Sequence, residues 1–217
     1  IPQAFAKYQR DRQWPVDDSR LNRLLREVTR CREIRKRNYI GKAFRDCTRF
    51  VCRSSFRRFV VCERRAYDDE MKDLIAHPDR HMASGTSLKD GNSATVTMVK
   101  LEDRVLVIKR YNVKSILHRL RRAFRKSRAW VSWQNAYRLE FLGIPALKPV
   151  ALIEERVGPL RSRAYFISEY IDGPDALQSL QNLSDPVADP EALATILQEL
   201  SDSRISHGDL KATNFLM

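Results

Sequence analysis

The chain has 217 residues, 43% of them hydrophobic and 31% charged, with 40 Lys and Arg against 27 Asp and Glu for a formal net charge of +13. That length and apolar content support a folded domain of ordinary size with an appendage, and no apolar run approaches the roughly 18 residues a spanning helix needs. The charge favours polyanionic partners (nucleic acid, an anionic membrane face or phosphorylated substrates) without choosing among them. The chain begins at Ile1 rather than Met, as expected of a piece of a longer protein. Cys31, Cys47, Cys52 and Cys62 form no Cys-x-x-Cys pair and no histidines cluster beside them. They therefore read as small, buried, reduced hydrophobes rather than zinc ligands.

Residues 1–83 read as a basic helical segment. Leu21, Leu24, Leu25 and Val28 follow helical spacing, with Arg20, Arg23, Arg26 and Arg30 between them. A second basic stretch, Arg45, Arg49, Arg53, Arg57 and Arg58, interleaves with Phe44, Phe50, Val51, Phe56 and Phe59. Amphipathic helices with a solvated basic face account for this pattern, and so does a nucleic-acid module, although no helix-turn-helix, aromatic RNA-binding signature or zinc knuckle is present.

After Gly85 the pattern changes to short strands. Residues 86–88, 94–101 and 104–110 read as short strands, the run 96–101 alternating, with Asp90-Gly91-Asn92 and Glu102-Asp103 as turns. Residues 113–142 read as a helix stopped by Gly143, with Pro145 beyond it. Strands at 150–154 and 164–170 follow, then a helix at 191–200 opened by Asp189-Pro190. Three strands, a helix, two strands and a helix make an α+β fold with an antiparallel sheet at its centre. The division runs 1–83, then a sheet lobe at 84–171, then the start of a helical lobe at 172–217.

His207-Gly208-Asp209-Leu210-Lys211-Ala212-Thr213-Asn214 fits the kinase catalytic-loop pattern H-x-D-L-x-x-x-N. Phosphoryl transfer needs a carboxylate to orient and deprotonate the attacking hydroxyl, the role of Asp209. It needs an amide oxygen on Mg²⁺, the role of Asn214. Lys211 can offset charge developing on the transferring phosphoryl group. Upstream, Leu106-Val107-Ile108-Lys109 has the form of the third-strand V-A-I-K motif, which aims Lys109 at the α- and β-phosphates. Gly91, Asn92, Ser93 and Val96 occupy the place of the glycine-rich phosphate loop, with Lys89 and Ala94 where glycines are usual. Residues 166–173 read as a hinge, where backbone groups at Glu169 and Ile171 pair with adenine. A β-hairpin turn and an ordinary strand end would produce the last two patterns equally well.

These residues together resemble the lipopolysaccharide kinase family, the Kdo and core-heptose kinases, a bacterial branch of the protein-kinase-like fold. The resemblance runs from about Gly85 to the end. It is carried by Lys-Asp-Gly-Asn-Ser-Ala at 89–94, Val-Ile-Lys-Arg-Tyr at 107–111, Gly-Ile-Pro at 143–145 and His-Gly-Asp-Leu-Lys-Ala-Thr-Asn at 207–214. It implies ATP and Mg²⁺ as cofactors and transfer of the γ-phosphate to a sugar hydroxyl of the lipopolysaccharide core. It further implies residence at the cytoplasmic face of the bacterial inner membrane. Gly208 stands where protein kinases carry the Arg that docks a phosphorylated activation loop, so control of that type is not expected.

The chain departs from the family pattern in three ways. It stops at Met217, before the place of a second Mg²⁺-binding Asp, and is expected to be incomplete for catalysis. The glutamate that pairs with the strand lysine should fall near Ser132, where no acid occurs. Glu140, the only carboxylate between Val113 and Gly143, is assigned to that role. The family also leaves residues 1–83 unexplained, and they read as the tail of a preceding domain. Finally, Lys114, His118, Arg119, Arg121, Arg122, Arg125, Lys126 and Arg128 crowd a stretch with Ile116, Leu117, Leu120, Phe124 and Trp130 as its apolar stripe. Such a helix either packs on the sheet or associates peripherally with an anionic membrane and its glycolipid. A catalytically inactive kinase-like scaffold and a nucleic-acid binder remain the competing readings.

Overall fold

Alternating β-branched residues place this chain's hydrophobic surface on a sheet. A computed structural model describes residues 2–12, 18–112, 125–158, 160–181, 190–206, 211 and 215. Contacts divide the chain into two units, residues 1–41 and residues 42–217. The first is helical, with α1 (Pro2–Asp11) and α2 (Asp18–Lys42). The expected helical spacing around Leu21 to Val28 thus falls within one 25-residue helix.

The second unit is built on a seven-stranded sheet with the order β1-β2-β6-β7-β5-β4-β3, every neighbouring pair antiparallel. The strands are β1 (Phe50–Ser54), β2 (Arg58–Glu63), β3 (Thr86–Asp90), β4 (Ala94–Lys100), β5 (Val105–Tyr111), β6 (Pro149–Val157) and β7 (Leu160–Glu169). Helices α3 (Asp69–Ala76) and α4 (Pro78–Ser84) precede β3, and α5 (Arg128–Leu142) lies between β5 and β6. Helices α6 (Ala176–Gln181) and α7 (Pro190–Asp202) follow the sheet. The expected α+β class and antiparallel sheet are present.

Cross-strand partners share a face of the sheet. On one face Val60, Cys62, Leu106, Ile108, Ile153, Tyr165 and Ile167 are buried with Met71, Leu74, Ile75 and Met82 of the α3–α4 corner. Asp68 caps α3 by accepting from the Met71 amide at 2.9 Å. Asp79 of α4 holds Arg110 at 3.0 Å. Burial opposes ionisation of Asp79, but the hydrogen bond from Arg110 and the ion pair with Arg163 outweigh it and hold its carboxyl below the usual range. The native pKa lies below the unfolded value of about 4, so the stabilisation is complete above that pH and lost as pH falls through the native pKa. The melting temperature of Asp79→Asn is therefore expected to lie below that of the parent above pH 4. The gap should narrow as the pH falls through the native pKa; a gap that does not change with pH would show that the interaction is not ionic.

The other face is covered by α5. Ser127 caps it, accepting from the Trp130 amide at 3.0 Å, and Gly143 ends it in the left-handed region at φ 77°. This is the stop expected from Gly143. The expected start at 113 cannot be compared, because residues 113–124 lie outside the described residues. Trp133 is fully buried and donates its indole N–H to the Ala43 carbonyl at 2.7 Å. Phe50 packs edge-on against Trp133 and Tyr137, and Phe44 stacks on Trp130 with ring centroids 4.1 Å apart.

Two expectations are corrected here. Residues 50–63 are a hairpin, not amphipathic helices. Arginines four apart imitate helical spacing, but β2 is buried along both faces, with Val60, Val61 and Cys62 alternating between the layers. The hairpin pairs with β6, so the sheet unit reaches back to Lys42, well before the expected boundary at 84. The cysteines are not uniformly buried, contrary to expectation. Cys62 is buried and its thiol is pushed up to about 12 by desolvation, Cys47 and Cys52 are half-buried, and Cys31 is exposed.

Candidate active site

Strand register brings the expected nucleotide residues together. Val96 of β4 pairs directly with Lys109 of β5, and Lys109 pairs with Phe166 of β7. The three therefore project from the same face. Leu106 and Ile108 fill the opposite core, so strand alternation turns Lys109 and Tyr111 to the α5 side. Lys109 Nζ lies 5.4 Å from the centroid of the Tyr111 ring.

Gly91, Asn92 and Ser93 form the turn of the β3–β4 hairpin, with Asn92 and Ser93 exposed. A Cβ on Gly91 would come 3.2 Å from the Ala94 carbonyl oxygen, so the tight turn favours glycine. Asn112 braces this turn from the end of β5. Its amide N–H donates to the Ser93 carbonyl at 3.2 Å and its side-chain Nδ2 to the Gly91 carbonyl at 3.3 Å. Arg110 Nε donates to Asn112 Oδ1 at 3.0 Å, which orients the side-chain amide. Sequence reasoning missed Asn112; a polar residue ending an apolar strand was its only signal.

At the hinge, the Glu169 amide donates to the Lys148 carbonyl and the Tyr170 amide to the Val105 carbonyl, each at 3.0 Å. These bonds hold the exit of β7 between the start of β5 and the residue that precedes β6. Ile171 is 45% exposed just beyond. Lys211 is exposed, and the Phe215 carbonyl accepts from the Ala176 amide at 2.8 Å, which ties the end of the chain to the start of α6. Asp209 and Asn214 lie outside the described residues, as do His207 and Gly208.

Glu140 does not fill the role assigned to it. Arg49 grips it with two hydrogen bonds, Nη1 to Oε1 at 2.7 Å and Nη2 to Oε2 at 3.0 Å. Arg49 Nη2 also reaches Glu63 Oε1 at 2.8 Å, and the Tyr137 hydroxyl donates to that same oxygen at 3.0 Å. Thr48, Arg49, Glu63, Arg65, Glu140 and Lys148 border a cavity of about 730 Å³ at this end of the helix. The residue of α5 that meets the Lys109 face is Ser132, whose Oγ is 2.8 Å from the Tyr111 hydroxyl. Eight residues separate Ser132 from Glu140, about 12 Å along a helix axis. Glu140 therefore joins the helix to the β1–β2 hairpin rather than to the lysine.

With this geometry established, comparison with known proteins finds that the lipopolysaccharide kinase (Kdo/WaaP) family matches residues 80–217. The chain belongs to that family. The match contains the hairpin turn, Lys109, the hinge and the catalytic-loop motif, and it leaves α1, α2 and the β1–β2 hairpin outside. No curated protein matches the chain. One solved structure similar to this Kdo/WaaP-family chain is described as WaaP in complex with acyl carrier protein. Identity is 17%, the TM-score is 0.41, and the alignment covers 61% of this chain and 54% of that one. The chain thus spans about half the length of that structure.

Proposed function

We propose that this chain supplies the nucleotide-binding lobe and catalytic loop of an ATP-dependent kinase that phosphorylates a sugar hydroxyl of the lipopolysaccharide core. The observation that carries the reading is the register of Val96, Lys109 and Phe166 beneath the Gly91 turn, in a chain whose family match also includes His207 to Asn214. The residues present fit Mg·ATP: a narrow exposed turn for phosphates, a cation on the adjacent face, and an apolar strand edge leading to the hinge.

In this reading the backbone of Gly91, Asn92 and Ser93 cradles phosphate oxygens, and Lys109 holds the α- and β-phosphates. Backbone groups of Glu169 and Ile171 orient adenine beside Val96. Asp209 positions the sugar hydroxyl and takes its proton, Asn214 holds Mg²⁺, and Lys211 offsets charge on the phosphoryl oxygens. When bound, Mg·ATP supplies the γ-phosphoryl group and neutralises charge on its β- and γ-oxygens.

The acceptor reading also places the protein peripherally on the cytoplasmic face of the inner membrane. Support comes from the basic stretch at 114–128, each cation of which contributes about 1 kcal/mol near an anionic surface. Among the described residues no helix is long and apolar enough to cross a membrane. Nucleic-acid binding through the second basic stretch is disfavoured by its internal contacts. Arg49 holds Glu63 and Glu140, and Arg58 donates to the Ile75 carbonyl. A catalytically inactive scaffold is the second reading, favoured by the lack of any acid between Val113 and Leu139 to pair with Lys109.

The test uses the protein in full with γ-labelled ATP, Mg²⁺ and lipopolysaccharide lacking core phosphate. Label on the lipopolysaccharide supports the kinase reading. Nucleotide binding without transfer to any core acceptor supports the scaffold instead.

A further inference from the structure

A kinase lobe works only if the lysine on its third strand is held in place and that strand is locked to the neighbouring helix. The usual lock is a lysine–glutamate ion pair, and this chain cannot build one from α5. Glu140 is the single carboxylate between Val113 and Gly143, and it is engaged by Arg49 at the far end of the helix. The contact found at the expected point is instead uncharged. Lys109 and Tyr111 lie two residues apart on one face of β5, so their side chains run side by side. The ammonium of Lys109 is 5.4 Å from the Tyr111 ring centroid, within the roughly 6 Å at which a cation is attracted to a ring face. The hydroxyl of the same ring reaches Ser132 on α5 at 2.8 Å.

We propose that Tyr111 is a positioning residue that substitutes, together with Ser132, for the lysine–glutamate pair. The ring steadies Lys109 and the hydroxyl pins β5 to α5. One side chain thus performs both tasks of the missing carboxylate. Because the substitute carries no negative charge, it leaves the full positive charge of Lys109 for the phosphates. The rest of α5 suits this arrangement. With no ion pair to draw the helix toward the strand, Trp133, Tyr137 and Glu140 fix it to Ala43, Phe50 and Arg49. The proposal rests on the reading that Lys109 meets the nucleotide.

The test is titration of the full-length protein with a fluorescent Mg·ATP analogue, alongside melting temperatures. Lys109→Met serves as the control for the nucleotide reading itself. Tyr111→Leu removes ring and hydroxyl, and should weaken binding roughly 6- to 300-fold, the product of about 3- to 30-fold for a cation–π contact in a partly desolvated site and about two- to tenfold for one hydrogen bond. Tyr111→Phe keeps the ring and should restore the ring's share of that loss, roughly 3- to 30-fold. What remains should be about two- to tenfold, the worth of one hydrogen bond. Ser132→Ala should match Tyr111→Phe, and the double variant should be no weaker than either alone, because both remove the same bond. Parental affinity in a folded Tyr111→Leu, while Lys109→Met binds poorly, would overturn the relay and leave the nucleotide reading standing. So would Tyr111→Phe as weak as Tyr111→Leu, which would show that the ring does nothing. Unchanged affinity in Lys109→Met would instead remove the nucleotide reading, and the relay with it.

Discussion

Replacing Asp209 by asparagine is expected to lower phosphate transfer about a hundred- to ten-thousand-fold while Mg·ATP affinity changes little. The size follows from what general-base catalysis contributes when a carboxylate accepts the proton of an attacking hydroxyl. Asparagine keeps the shape and one acceptor oxygen but cannot take the proton. Nucleotide affinity should survive because the groups assigned to it, at Gly91 to Ser93, Lys109 and the hinge, come from the sheet lobe. A single-turnover assay separates the two quantities: the rate of the chemical step falls while the nucleotide concentration giving half-saturation stays within about threefold. Equal rates in the two proteins would exclude Asp209 as the base.

Trp133→Ala is expected to destabilise the sheet unit by about 3–5 kcal/mol, the range for deleting a large buried aromatic side chain. Trp133 is fully buried against Phe50 and Tyr137 and provides the indole donor for the Ala43 carbonyl. Alanine would leave a cavity and an unpaired carbonyl together. The same change loosens α5 from the β1–β2 hairpin, so weaker Mg·ATP binding should accompany the loss of stability. Trp133→Phe fills most of the volume but still lacks the donor, and should cost less. Chemical denaturation reads both values; a loss below 1 kcal/mol for the alanine variant would mean that this aromatic layer does not hold the helix.

The residues whose types are dictated by chemistry were legible in the sequence. Lys109 was legible from the form and placement of Leu106-Val107-Ile108-Lys109, but four apolar residues in a row, Val105 to Ile108, do not show which of them is buried, so its face follows only from the packing of Leu106 and Ile108 in the core. Gly143 announced the end of α5 because a left-handed cap favours glycine. The β1–β2 hairpin was not legible. Its pairing with β6 joins segments about ninety residues apart, and local arginine spacing outweighed the short apolar run of Phe59 to Cys62. The partner of Lys109 was misread for a related reason. A glutamate was sought because an ion pair is the usual lock, whereas Tyr111 and Ser132 become neighbours only when β5 and α5 pack. Asn112 was overlooked because its role lies in two carbonyls 19 and 21 residues behind it, which the hairpin turn brings within reach.

The most direct measurement is backbone hydrogen exchange of the full-length protein with and without Mg·ATP. Slower exchange is expected at residues 89–96, 107–111 and 168–171, the turn, the lysine strand and the hinge, while residues 50–63 stay unchanged. Loss of that protection in Lys109→Met would tie it to the assigned cation. Mg·ATP that leaves all three segments unaltered would contradict a nucleotide site on this face of the sheet.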